Sequence, residues 1–133
     1  MAADRTIGSF LHEIRIPVLA AMIWAVLGLL STSISGPVID NVWLAVRVAL
    51  VGAAGFLVTR GGRFGLWYAA LAGAVVMLAD HVLVKGLAFL AAGELEAALG
   101  VVVSYLMFAW VAALVGALGG LAGRTVAKGN AAI

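Results

Sequence analysis

AALGVVVSYLMFAWVAALVGALGGLAG, residues 97–123, runs for 27 residues without one charged side chain. About 20 residues at about 1.5 Å each cross a hydrocarbon core of about 30 Å, so this stretch alone is long enough to span a bilayer. Lipid offers no partner for an N–H or a C=O, and an uninterrupted stretch of this length satisfies its own backbone as a helix. Toward the N-terminus, residues 66–90, 42–59 and 17–35 are likewise long and predominantly apolar, with Arg47, Asp80 and Lys85 as their only Asp, Glu, Lys or Arg residues. Short segments rich in glycine, proline or charge separate them. The alternating short runs of a membrane β-barrel are missing. The chain therefore reads as all-α: a polytopic four-transmembrane-helix bundle of two hairpins, preceded by a short interfacial helix.

Composition agrees. The 133 residues are 65% hydrophobic and 11% charged, with a mean hydropathy of +1.21, whereas a soluble domain is roughly a quarter charged. Nearly all the apolar residues lie in the spans, which leaves one transmembrane domain over 1–133 and no room for a soluble one. Residues 1–16 read as an amphipathic segment, with Ile7, Phe10, Leu11 and Ile14 at helical spacing, and 124–133 as a tail. Pro17 stands where a helix start tolerates a missing N–H. Gly36-Pro37 stops the first span, and Arg60-Gly61-Gly62-Arg63 turns between the second and third.

Orientation follows from Lys and Arg near the span ends. Arg5, Arg15, Arg60, Arg63, Arg124 and Lys128 fall on one side, while the opposite loops carry only Asp40, Glu94 and Glu96. Both termini are expected in the cytoplasm, in a cytoplasmic (inner) membrane. The net charge of +2 is a topology signal and not a nucleic-acid footprint, since no aromatic-rich basic face accompanies it. With no cysteine, thiol chemistry, disulfides and thiolate metal sites are excluded.

Helices in lipid approach closely through small residues. Ala112, Gly116 and Gly120 recur every four residues, with Gly119 and Gly123 as a second pair; Gly65, Ala69 and Gly73 form a stripe in the third span, and Ala45, Ala49 and Ala53 one in the second. These stripes serve either contacts inside the bundle or self-association and docking on a larger membrane complex. Ala49 to Arg60 also matches Ala113 to Arg124 at 8 of 12 positions, which reads as a parallel duplication or as shared Ala/Gly/Leu/Val composition.

Ionisable residues at membrane depth cost about 2.5 to 3.5 kcal/mol at a helix centre even on the insertion scale, so each needs a partner. Counting from the Arg60–Arg63 turn, Arg47 lies about 16 Å and Asp80 about 21 Å into the membrane, levels that an arginine side chain bridges. An Arg47–Asp80 ion pair is expected, with His81 about 100° away on a regular helix, sharing a face with Lys85. As a functional site, Arg47, Asp80, His81 and Lys85 form a protonatable pathway; as a structural one, Arg47 and Asp80 fix the register of two helices. Ser31, Thr32, Ser33 and Ser35 either line a water-filled entrance or bond their own helix. Trp43, Trp67 and Tyr68 lie near span ends as anchors, while Trp24, Tyr105 and Trp110 are expected between helices.

No nucleophile elbow, phosphate loop or metal-spaced histidine cluster is present, so no enzyme activity, cofactor or metal is expected. Two readings of function stand. One is a non-catalytic scaffold or accessory subunit of a homo- or hetero-oligomeric membrane complex. The other is a small-solute or ion transporter or channel, proton-coupled in one form, that uses the outer-half cluster.

Overall fold

A computed structural model describes residues 2–30, 36–62 and 64–132, with side chains except at 2–5, 37, 39 and 130–132. The chain forms α1 (Ala2–Leu30), α2 (Pro37–Thr59), α3 (Leu66–Met77), a π-helix (Leu78–Gly86), α4 (Leu87–Ala91) and α5 (Leu95–Ala132). It is an all-α four-helix bundle, with four stretches long and apolar enough to cross a membrane: Thr6–Leu30, Asp40–Thr59, Leu66–Ala91 and Leu95–Gly129.

Local signals account for the element ends. Pro37 starts α2, and Asp40 in its first turn faces the positive end of the helix dipole. Gly62, at φ +74°, closes the α2–α3 turn with its N–H on the Thr59 carbonyl at 3.0 Å. Gly93, at φ +77°, ends α4. Its N–H bonds the Leu90 carbonyl at 3.0 Å and that of Glu94 the Phe89 carbonyl at 2.9 Å, the paired bonds of a Schellman motif. Both glycines hold a left-handed backbone that a side chain would strain.

Two expected boundaries move. Pro17 lies inside α1 and is buried, so the helix runs unbroken from Ala2 through Pro17 and does not start there. The amphipathic pattern of residues 1–16 has another cause: Phe10 and Ile14 are buried in the bundle core, with the Phe10 ring 6.2 Å from that of Phe64 and 5.8 Å from that of Tyr68. At the other chain end α5 does not stop at residue 123. No proline follows, and the helix runs on to Ala132, roughly 57 Å in all. The serine and threonine run at residues 31–35 and Arg63 lie outside the described residues.

α2 and α3 are central, with α1 on one flank and α5 on the other; among the described residues α1 and α5 do not touch. α5 is the wedge. A Cβ on Gly116 would overlap the Ala69 carbonyl, one on Gly73 the Ala112 carbonyl, and one on Gly55 the Gly116 carbonyl. Backbone therefore lies on backbone along both seams, an approach that side chains would prevent. Gly120 lies over Ala69 and Gly123 over Thr59. The Thr59 hydroxyl donates to the Gly120 carbonyl at 2.7 Å. Thr59→Val keeps the shape and removes this donor, and is expected to cost about 1 kcal/mol, the scale of interhelical hydrogen bonds in membranes, measured by unfolding in mixed micelles.

The small-residue stripes divide accordingly. Ala112, Gly116, Gly119, Gly120 and Gly123 of α5 face α2 and α3, and Ala69 and Gly73 face α5. Gly65 does not belong with them: it is exposed, with nothing near where a side chain would be. Ala45, Ala49 and Ala53 are also exposed. Glycine allows closer approach than alanine, and α2 turns Gly52 and Gly55 inward instead. Trp110 corrects another expectation, being 62% exposed on the outer face of α5.

The matching segments 49–60 and 113–124 lie side by side and parallel. Gly52 meets Gly119, and Gly55 meets Gly116. In the register of the match Gly52 corresponds to Gly116 and Gly55 to Gly119, so one contact is the other with partners exchanged, the pattern of a two-fold interface. The symmetry ends there, because α2 packs on α3 while α5 has no contact with α1.

Candidate functional site

The charged residues at membrane depth are mounted on a distorted helix. Where α3 ends, the Leu78 N–H is shared between the Ala74 and Val75 carbonyls, and the Tyr105 hydroxyl of α5 donates to the Ala74 carbonyl at 3.0 Å. From Leu78 to Gly86 the helix is wound as a π-helix, with i→i+5 bonding. The wider turn rotates successive residues by less than the 100° of an α-helix. Two side chains expected to diverge, Asp80 and His81, both line one cavity.

Arg47 of α2 meets Asp80 in a forked contact. Nε lies 2.6 Å from Oδ2, and Nη2 donates to Oδ1 at 3.2 Å. The Asp80 side chain is 2% exposed and that of Arg47 34%. The carboxylate is thus sealed in protein while the guanidinium keeps one edge open, and its Nη1 takes no part in the pair. A planar fork on a carboxylate is the geometry for which arginine is suited and lysine is not.

Beside the pair is a cavity of about 180 Å³ walled by α2, the end of α3, the π-helix and α5. Arg47, Asp80 and His81 are its polar lining residues, while Met77, Val111 and Val115 are among the apolar walls. Leu44, Val48, Phe108 and Val111 line it as well and are exposed on the bundle surface, so the cleft opens sideways between α2 and α5. His81 Nε2 is buried and has no hydrogen-bond partner. A buried polar atom without a partner costs about 1 to 3 kcal/mol, and among the described buried side-chain nitrogens and oxygens this one has none.

Lys85 closes the π-helix in its last turn, half-buried, and does not line the cleft. Trp24 and Trp43 stack at 3.9 Å between centroids, with the Trp24 indole N–H on the Trp43 carbonyl at 3.3 Å. Trp43 thus ties α1 to α2 at the end opposite the α2–α3 turn. Among the described residues no three His, Asp or Glu side chains come together as a metal site would need. Sequence reasoning did not find Met77, Phe108, Val111 or Val115 as cleft walls, and no residue pattern distinguishes them from other lipid-span side chains. The chain matches no protein-family model, no curated protein and no solved structure.

Proposed function

We propose that this is a multi-pass protein of a cytoplasmic membrane, with both termini in the cytoplasm, that carries a small solute or an ion through the cleft of Arg47, Asp80 and His81. The observation behind this reading is a 180 Å³ cavity lined by His81 and by both members of the Arg47–Asp80 fork, with the buried His81 Nε2 lacking a hydrogen-bond partner among the described residues. A π-helical stretch is rare and recurs at functional sites, and here it carries both Asp80 and His81. The pair also joins α2 to the π-helix at the wall of the cavity.

The scaffold reading draws less support. The glycine face that would dock α5 on a second protein is spent on α2 and α3 of the same chain. The six-to-zero distribution of basic residues supports the orientation.

The test is proton flux in proteoliposomes carrying an entrapped pH dye. After an imposed acid step the wild-type protein is expected to dissipate the gradient faster than protein-free vesicles. His81→Phe, which fills the same space without a nitrogen, is expected to fold normally and lose at least about tenfold in rate, the scale of a positioned proton-transfer group. Wild-type vesicles as tight as empty ones contradict the carrier and return the protein to the accessory-subunit class.

A further inference from the structure

A second cavity lies at the end of the bundle that carries the α2–α3 turn and both chain ends. It measures about 410 Å³, and its walls include Gly62, Phe64 and Gly65 from the turn and Arg124, Ala127 and Lys128 from α5. We propose that it binds the headgroup of an anionic glycerophospholipid, with Arg124 and Lys128 on the phosphate.

Charge is the first argument. Arg124 and Lys128 lie four residues apart on α5, line one cavity and are exposed. Among the described residues no acidic side chain lines the cavity and neither cation has a carboxylate partner. Like charges at this spacing repel, and an anion between them turns that repulsion into attraction. The turn side of the cavity is open, since among the described residues a side chain at Gly65 would meet nothing nearby and one at Gly62 would meet Ala127 at 4.0 Å.

Depth is the second argument, and it selects a lipid over a soluble anion. Trp67, 77% exposed, and Tyr68 stand in the first turn of α3, beside the turn that forms the cavity. Exposed aromatic rings of this kind sit at headgroup level, so the cavity opens where lipid phosphates are densest. Basic pockets between helices at this level hold acidic headgroups. The proposal is independent of the carrier reading, because it uses other residues at the opposite end of α3.

The experiment compares lipid retained by the purified full-length protein, by native mass spectrometry, after exchange into equimolar phosphatidylglycerol and phosphatidylcholine. The wild type is expected to retain phosphatidylglycerol about tenfold over phosphatidylcholine, the worth of one or two charge-assisted hydrogen bonds. Arg124→Gln with Lys128→Gln is expected to remove that preference while leaving the thermal midpoint in phosphatidylcholine unchanged. Arg60→Gln, a nearby exposed cation that does not line the cavity, is expected to keep it. Equal retention of the two lipids by the wild type overturns the proposal. So does a preference that survives the double substitution or falls equally with Arg60→Gln, since that describes a diffuse basic belt. Displacement of the bound lipid by millimolar inorganic phosphate would assign the cavity to a soluble anion instead.

Discussion

Asp80→Ala, with Arg47 left in place, is expected to lose about 3 kcal/mol of stability and most of its monodisperse yield in mild detergent. The figure is the lower part of the range for breaking a buried pair, because a third of the Arg47 side chain remains exposed. The loss arises less from the missing attraction than from the guanidinium left at membrane depth with no partner for its forked N–H groups. Arg47→Leu combined with Asp80→Leu removes both charges and refills the space, and is expected to recover most of the yield. A single substitution as stable as the wild type would show that Arg47 finds water or a headgroup by itself, and a double as poor as the single would show that polarity at this position is needed for folding.

Gly116→Leu is expected to abolish the folded bundle. At Gly116 the groups in the way are the Ala69 carbonyl and the Gly73 backbone, and backbone cannot step aside as a flexible side chain can. Overpacking a core with side chains around it costs about 1 to 3 kcal/mol, and here a whole helix must move away from α2 and α3 at once. Gly100→Leu is the matched control on the same helix. Gly100 is exposed with nothing around it, so the change is expected to fold as wild type or gain up to about 1 kcal/mol of helix propensity. Both are read by size-exclusion profile and circular dichroism, and equal behaviour of the two would remove α5 from the centre of the fold.

Much of this architecture is legible without coordinates because lipid makes severe demands. The lengths of 42–59 and 66–90 leave one solution for a backbone that must bond to itself; α2 ends at Thr59, and α3, the π-helix and α4 together run from Leu66 to Ala91. The meeting of Arg47 with Asp80 follows from depth, since two opposite charges counted from one turn arrive at comparable levels. What escaped the sequence depends on winding and rotation, which composition does not encode. Nothing in LADHVLVKG announces i→i+5 bonding, and with α-helical spacing His81 points away from Asp80 when in fact both face one cleft. Pro17 is a start signal that α1 ignores. The Ala45–Ala49–Ala53 stripe is regular yet exposed, because Gly52 and Gly55 on another face of α2 let a neighbouring backbone come closer.

The account turns on whether a solute reaches the His81 position. The natural chain has no cysteine, so one thiol placed there reports alone. His81→Cys in proteoliposomes is predicted to react with a small water-soluble methanethiosulfonate, whereas Ala72→Cys, in the fully buried core, stays inert. A thiol at position 81 as unreactive as that at 72 would contradict the account, leaving a sealed ion pair in a bundle that moves nothing.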